Sequence, residues 1–311
     1  MKILLAVNRS KFSDAATQAV IAQAKPQEAL VHVVHVIDIL SAEPPELEVY
    51  YPGIEHARDA QREVAEALVG KTAQLLRTKG LQVSTAVEFG TPKSEIISAA
   101  AEWHADLIVL GSHGRTGIDR FLIGSVSNAV LRHAHCSVEI ARIPRTTGGS
   151  KRPAGSAKGK ITTRILLTTD GSKFSEAALN FLVQQVWPQE TEVRVLHVME
   201  PLPLLAIRGM SSYRSILDSL REARTEKARD LMNKIAETLR SRNLKVSTDI
   251  VRGDPKSKIL GAAEQWNAEL IVLGSLGRTG LERFLLGSVS EAVAQHAQCS
   301  VEIVRSRSGA S

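Results

Sequence analysis

The sequence has few cysteines and few aromatic residues, and it has no long apolar run. Two cysteines in 311 residues cannot form a disulfide framework, and no metal-ligand spacing is present. Aromatic residues make up 4% of the chain, which argues against recognition of single-stranded nucleic acid by base stacking. No stretch approaches the ~18 apolar residues of a membrane-spanning helix, and the N-terminal apolar run is too short for a signal peptide. We therefore expect a cytoplasmic protein that binds neither nucleic acid nor membranes.

The positive charge of the chain is concentrated in one segment. The net charge is +6, but residues 145–160, RTTGGSKRPAGSAKGK, hold five Lys or Arg and no acidic residue. Without that segment a net charge of +1 remains, so the high pI does not predict a nucleic-acid-binding face. The Gly, Ser, Pro and Lys content of this segment is typical of a flexible linker.

The remainder of the chain is a repeat of one whole domain. KILLAVNRSKFSDAA, from Lys2, returns as RILLTTDGSKFSEAA from Arg164. Residues 111–142 and 274–305 align without a gap, and 23 of their 32 positions are identical. A period near 160 residues is far longer than a solenoid unit. We therefore predict a first lobe at 1–144, a linker at 145–160, a second lobe at 161–305 and a C-terminal tail at 306–311.

Strands and helices are expected to alternate in each lobe. In the first lobe, short segments rich in Val, Ile and Leu predict strands at 2–7, 30–37, 81–88, 106–110 and 137–142. Ser13 and Ser175 are predicted to cap the first helix of each lobe, and Thr91-Pro92 and Asp254-Pro255 are typical of capped helix starts. This alternation predicts an α/β fold of two tandem, doubly wound, five-stranded parallel sheets.

Glycines follow the fourth predicted strand of both lobes. The segments are GSHGRTGIDRFLIGS and GSLGRTGLERFLLGS, in which nine residues separate Gly114 from Gly124 and Gly277 from Gly287. Glycine loops let backbone N–H groups surround a phosphate, and the helix N-terminus that follows favours an anion. A tight turn followed by a capped helix is the alternative interpretation.

A polar residue follows the first strand of each lobe. In the second lobe it is Asp170, and in the first it is Asn8. A carboxylate at such a strand end can accept hydrogen bonds from sugar hydroxyls. Its alternative role is an Asx-turn or a helix cap.

These motifs, with the His35-Val36 and His197-Val198 endings of the second strands, resemble the tandem form of the universal stress protein family. The resemblance covers both lobes and implies the adenine nucleotide alpha hydrolase-like fold, with strand order 3-2-1-4-5. It further implies the ATP-binding branch, with the nucleotide between strands one and four, where Mg²⁺ could accompany ATP.

The resemblance also implies site residues in each lobe. In the second lobe Asp170 would bind the nucleoside, the Val198 backbone the adenine, and the glycine loop with the following helix start the phosphates. The second-lobe loop and helix residues are Gly274, Gly277, Gly287, Ser288 and Val289. The matching first-lobe residues are Asn8, Val36, Gly111, Gly114, Gly124, Ser125 and Val126. Asn8 departs from the aspartate of the family, which puts nucleotide binding by the first lobe in question.

We expect a nucleotide-binding sensor or regulator rather than an enzyme, because the loops offer no acidic cluster or base for phosphoryl transfer. A slow ATPase or phosphotransferase and a structural adaptor that binds no nucleotide are the alternatives. The β-branched last strands, 137–142 and 300–305, are predicted sheet edges that need cover. We therefore expect the two lobes to pair within one chain through these strands. The sequence leaves open whether two chains dimerise further and which protein partner is recognised.

Overall fold

Each lobe repeats one succession of strands and helices, in a computed structural model that describes residues 1–38, 54–113, 123–143, 163–201, 211–277 and 286–306. The elements of the first lobe are β1 (Lys2–Ala6), α1 (Lys11–Gln23), β2 (Leu30–Asp38), α2 (Ile54–Arg77), β3 (Gln82–Gly90), α3 (Pro92–Glu102), β4 (Leu107–Gly111), α4 (Ser125–His133) and β5 (Ser137–Ala141). Those of the second lobe are β6 (Arg164–Thr169), α5 (Lys173–Gln184), β7 (Glu192–Met199), α6 (Ser211–Arg240), β8 (Lys245–Arg252), α7 (Pro255–Trp266), β9 (Leu270–Gly274), α8 (Ser288–His296) and β10 (Ser300–Val304). The predicted linker 145–160 and the predicted site residue Gly114 lie outside the described residues.

The ten strands form one sheet in the order β3-β2-β1-β4-β5-β10-β9-β6-β7-β8. Within each lobe all paired strands are parallel. Counted within each lobe, the strands follow the order 3-2-1-4-5, so the predicted order is confirmed in both copies. The strands predicted for the first lobe agree with the observed strands to within two residues at each end. Because β1 and β6 lie between strands that wind in opposite directions, each lobe has a crevice at its carboxyl edge.

Continuous apolar runs in the central strands explain why they are buried on both faces. In β1, Ile3, Leu4 and Leu5 are fully buried, and their alternate side chains pack into two different core clusters. The cluster under α3, α4, α7 and α8 extends through both lobes, whereas the opposite face of the sheet has a separate cluster in each lobe. The two lobes therefore share half of their core.

The N-cap of the first helix of each lobe lies three residues before the predicted one. The caps are Ser10 and Ser172, so the prediction of Ser13 and Ser175 is wrong. Ser175 is buried and donates from Oγ to the Ser172 carbonyl oxygen at 2.9 Å, while its backbone N–H is capped by Ser172 Oγ at 3.3 Å. The sequence alone allows either serine of each lobe to cap the helix. Because the later serine is buried, the earlier one is the N-cap.

The predicted starts of α3 and α7 are confirmed. Thr91 and Asp254 are the N-cap residues, each followed by a proline in the first turn. Asp254 Oδ2 accepts from the backbone N–H of Ser257 at 2.9 Å.

The lobes meet through their last strands, as predicted. β5 and β10 are antiparallel, with Val301 opposite Ile140, Glu302 opposite Glu139, and Ile303 opposite Val138. We call this pairing the seam. It gives each β-branched edge strand a partner and removes both edges from solvent.

One arginine from each lobe crosses the seam to the last helix of the other. Arg142 donates from Nη1 to the Cys299 carbonyl oxygen at 3.3 Å and from Nη2 to that of Ala294. Arg305 donates from Nη2 to the Leu131 carbonyl oxygen at 2.7 Å. These carbonyls belong to the C-terminal ends of α8 and α4 or follow them, where positive charge is favourable. Burial lowers the pKa of Arg142 to about 10, which leaves its guanidinium protonated at neutral pH.

The crossing arginine should stabilise the folded protein measurably. Arg142 is only 8% exposed, so Arg142→Met leaves buried carbonyl oxygens without their donor. We expect a loss of about 2 kcal/mol in the free energy of unfolding, the usual scale for hydrogen bonds to a charged group. Urea unfolding measures it, with Arg229→Met as the control because the Arg229 side chain is 65% exposed. Equal stability of the two variants would contradict this role of Arg142.

Candidate functional site

The second lobe has a cavity of about 530 Å³ at the carboxyl ends of β6, β7 and β9. All seven residues predicted for this lobe line it, namely Asp170, Val198, Gly274, Gly277, Gly287, Ser288 and Val289. They come from four separate segments of the chain, which the parallel sheet brings together at one edge. A volume of this size is typical of a small-molecule site.

Asp170 connects the first-strand loop with the glycine loop. Its Oδ1 accepts from the backbone N–H of Ser172 at 2.9 Å, the Asx-turn contact, which fixes the carboxylate just before α5. Its Oδ2 points to Gly277, where a Cβ atom would lie 3.2 Å from that oxygen. Gly277 therefore leaves open the space beside the carboxylate, and any side chain there would enter it.

Gly274 has a packing role that needs no ligand. A Cβ atom at this position would lie 2.6 Å from the backbone carbon and oxygen of Phe174, at the start of α5. Gly111 has the same relation to Phe12, whose backbone carbon and oxygen would lie at 2.8 Å. The first glycine of each motif thus lets the first helix approach the end of the fourth strand.

The N-terminus of α8 faces the cavity. Gly287 is the N-cap, no side chain caps this start, and Ser288 and Val289 begin the helix. Gly287 donates its N–H to the Ser275 carbonyl oxygen at 2.8 Å, and Ser290 Oγ donates to that of Gly274 at 2.7 Å. These two bonds fix the helix start against β9. The first N–H groups of a helix have no partner within the helix and attract anions.

A buried histidine positions the end of β7 beside Asp170. His197 Nδ1 lies 2.8 Å from the carbonyl oxygen of Thr169, so it donates to the residue that precedes Asp170. His35 makes the equivalent contact with Val7 at 2.7 Å. The next residues, Val198 and Val36, line their respective cavities. The histidines therefore have a structural role at the ends of the strands.

Helix α6 brings two cations to the second-lobe cavity that the sequence patterns did not reveal. Arg224 and Lys227 line it, and Arg224 Nη2 donates to the Glu200 carbonyl oxygen at 3.3 Å. Ala228, one turn after Arg224, is buried beneath the helix. Arg224, Ala228 and Met232 follow one another at four-residue spacing, so they lie on the same side of α6. This spacing is visible in the sequence, but it does not show how α6 is rotated toward the cavity.

The first lobe has an equivalent cavity of about 840 Å³. Six of its seven predicted residues line it, namely Asn8, Val36, Gly111, Gly124, Ser125 and Val126. Gly124 is the N-cap of α4 and donates its N–H to the Ser112 carbonyl oxygen at 2.7 Å, as Gly287 does to Ser275 in the second lobe. The helix start is thus the same in the two lobes.

The two cavities differ in charge. Asn8 Oδ1 accepts from Ser10 N and from Ser13 Oγ, both at 2.9 Å, where the second lobe has the Asp170 carboxylate. From α2, Gln61 and Val64 line the first cavity, and α6 has Arg224 and Lys227 at the matching positions of the repeat. Arg9, His113 and Asp38 also line the first cavity. The second cavity thus has the Asp170 carboxylate at the end of β6 and two cations, Arg224 and Lys227, on α6.

No group of three or more His, Cys, Asp or Glu side chains in the described part of the chain is arranged to hold a metal ion. None of the helices within the described ranges is long and apolar enough to cross a membrane.

Comparisons with known proteins identify the family. The model of the universal stress protein family matches residues 1–142 and again 162–305. The chain belongs to the universal stress protein family. A universal stress protein of Mycolicibacterium smegmatis is 28% identical over 98% of this chain and 97% of its own length. One from Mycobacterium tuberculosis is 27% identical over 97% of this chain and 96% of its own length. Relatives of the same tandem length therefore exist.

A solved structure supports the tandem fold. The universal stress protein of Archaeoglobus fulgidus superimposes with a TM-score of 0.64, covers 98% of both chains and is 22% identical in sequence. The architecture of the two lobes is therefore shared by a universal stress protein of distant sequence.

The close contact of Gly274 with Phe174 predicts a stability defect. We expect Gly274→Ala to lower the free energy of unfolding by several kcal/mol, because a backbone clash at 2.6 Å requires α5 or β9 to move. Gly261→Ala is the matched control. Position 261 lies inside α7 with no atom near the added Cβ, so alanine should stabilise the protein by about 0.5 to 1 kcal/mol. Thermal unfolding of both variants checks this, and a stable Gly274→Ala protein would refute the packing role.

Proposed function

We propose that the second lobe binds an adenine nucleotide, ATP in the first instance, and that the protein acts as a cytoplasmic sensor or regulator in a stress response. One observation carries the proposal: a carboxylate and an uncapped helix N-terminus line the same cavity, on two sides of Gly277, which lacks a side chain. A carboxylate suits a ribose, which offers hydroxyl donors, and a helix N-terminus suits a phosphate.

Each segment of the cavity has a role in this proposal. Asp170 accepts from the sugar hydroxyls, and the backbone at Val198 binds the adenine. The N–H groups of Gly277, Ser288 and Val289, with the Ser288 hydroxyl, bind the phosphates. Gly274 and Gly287 shape the loop and the helix start around them.

A metal ion would be held mainly by the nucleotide itself. Among the described residues that line this cavity, the carboxylates are Asp170 and Glu200, and Asp170 is already turned toward Ser172. Any Mg²⁺ would therefore enter with the phosphates. With Asp170 assigned to the ribose, we propose binding rather than turnover.

We propose that the whole chain takes part in this function, divided into lobes at 1–144 and 161–305, a basic linker at 145–160 and a tail at 306–311. Nucleotide binding by one lobe would change contacts made by the other through the seam or through a protein partner, with two chains free to associate further. A slow ATPase would release phosphate from ATP over hours, a phosphotransferase would pass the phosphoryl group to an acceptor, and a structural adaptor would bind no nucleotide.

The identity of the ligand is tested on purified protein. We expect mass spectrometry of the denatured protein to detect a copurified adenine nucleotide, and calorimetry to show tighter binding of ATP than of adenosine. Equal affinity for ATP and adenosine would refute the phosphate assignment. Absence of binding by either compound would favour the adaptor.

The glycine loop is tested by two variants of unequal size. Gly277→Val places a branched side chain 3.2 Å from Asp170 Oδ2, so it should abolish ATP binding by the second lobe. Ser288→Ala removes one donor and should weaken ATP binding by about 0.5 to 1.5 kcal/mol. Ser288 is exposed, so its loss should leave the unfolding temperature unchanged. Calorimetric titration measures both effects, and unaltered ATP binding by Gly277→Val would contradict the site.

The two lobes should bind ATP unequally, with the second lobe tighter. Asp170→Asn removes a charge-assisted hydrogen bond, roughly twice as strong as the neutral one that Asn8 offers. Arg224→Gln with Lys227→Val gives the second cavity the residues of the first. Because exposed ion pairs are worth about 0.2 to 1 kcal/mol each, this pair of changes should weaken ATP binding by about twofold to thirtyfold. Adenosine, which is uncharged, should be affected less.

Matched changes in the first lobe serve as controls. Gln61→Arg with Val64→Lys should strengthen the weaker ATP site, and Asn8→Asp should strengthen its binding of adenosine. If Asp170→Asn leaves the tightest affinity unchanged while Asn8→Asp weakens it, the tighter site is in the first lobe.

A further inference from the structure

The same glutamate from the two copies of the repeat meets its counterpart at the middle of the seam. Glu139 in β5 and Glu302 in β10 lie directly opposite in the antiparallel pair. Residues opposite each other in such a pair project from the same face of the sheet. Their exposed fractions are 2% and 0%. Two carboxyl groups are therefore buried side by side where the lobes join.

The two carboxyl groups have unequal hydrogen bonding. The Gln23 side-chain amide, at the end of α1, donates from Nε2 to Glu139 Oε2. Neither carboxyl oxygen of Glu302 has a hydrogen-bond partner among the described residues. At the position of the repeat that matches Gln23, Gln185 donates instead to Met1 Sδ. The seam is therefore asymmetric at its centre.

Within the ranges that the structure describes, the neighbouring strands and helices bring no neutralising cation to this pair. β4 and β9 place Val109 and Val272 beside the two glutamates. The arginines that directly follow β5 and β10, Arg142 and Arg305, donate to carbonyl oxygens of the opposite lobe. Helices α1 and α5 cover this face of the sheet. The charged residues of these two helices are all exposed, namely Lys11, Asp14, Lys173 and Glu176.

Two ionised carboxylates in this environment would repel each other without compensation. Burial raises the pKa of Glu139 to about 7, against the opposing effect of the Gln23 hydrogen bond. Burial and the facing Glu139 raise the pKa of Glu302 well above its ordinary value. A neutral carboxylic acid has an O–H donor, which the facing carboxyl group can accept. Protonation thus both removes the repulsion and supplies the missing donor.

We propose that Glu139 and Glu302 share a proton across the seam, and that this proton makes the lobes pair more strongly in acid than in alkali. The inference is independent of nucleotide binding and goes beyond the proposed function, because it uses no residue of either cavity. It gives the protein a proton-sensitive contact at the junction of its lobes.

The direction of the pH effect follows from proton binding. In the unfolded chain both carboxyls ionise near their ordinary pKa, whereas in the folded chain they retain protons to higher pH. The stabilisation is therefore fully present below the unfolded pKa and is lost as the pH rises, through about 7 for Glu139 and through the raised pKa of Glu302. This is the opposite of the usual effect of a salt-bridged carboxylate.

The test compares the full chain with Glu139→Gln, Glu302→Gln and the double variant. Glutamine keeps the shape and hydrogen-bonding capacity but cannot ionise. Urea unfolding is followed from pH 5.5 to 8.5. Over this range we expect the folding equilibrium constant of the unmodified protein to fall by roughly tenfold or more relative to the double variant. Glu237→Gln, on the exposed face of α6, should leave the pH dependence unchanged.

A second measurement observes the carboxyl groups directly. With ¹³C-labelled glutamate carboxyls, the NMR signals that Glu139→Gln and Glu302→Gln remove should titrate well above the ordinary pKa of a glutamate carboxyl, the Glu139 signal at about 7. Both signals titrating near the ordinary value of about 4.3 would overturn the proposal. So would a pH dependence of stability that is the same in the unmodified protein and the double variant.

Discussion

The backbone pairing of β5 with β10 is the contact on which the rest of the molecule depends. Each five-stranded lobe would end in a β-branched edge with unpaired N–H and C=O groups, and the seam satisfies both edges at once. It also joins the α3/α4 and α7/α8 layers into one core, with Ile140 and Val301 side by side. Both edges belong to one chain, which makes their pairing intramolecular and raises its effective concentration.

The seam and the two cavities are connected by the last helix of each lobe. Gly287 begins α8 at the second cavity, and near the other end of that helix the Ala294 carbonyl oxygen accepts from Arg142 of the first lobe. Helix α4 has the same arrangement, with Gly124 at the first cavity and the Leu131 carbonyl oxygen accepting from Arg305. Each candidate phosphate-binding helix is thus held at its far end by the opposite lobe.

Much of the fold and the candidate site was predictable because repeats and glycines report backbone constraints. Strand positions followed from apolar runs, and Gly274 and Gly277 were recognisable by their spacing after β9. Three features were not predictable for physical reasons. The cap at Ser172 rather than Ser175 depends on burial, and Arg224 reaches the cavity only through the rotation of α6 about its axis. The meeting of Glu139 with Glu302 depends on the register of the seam, which neither copy specifies alone.

Amide NMR spectra of the full chain, recorded during titration with ATP, test whether nucleotide phosphates bind at the loop and helix start of the second lobe. We expect the amide signals of Gly277, Ser288 and Val289 to shift together and saturably, while that of Gly261 in α7 stays in place. Saturable shifts confined to residues outside the two cavities, or no shifts at millimolar ATP, would contradict this binding.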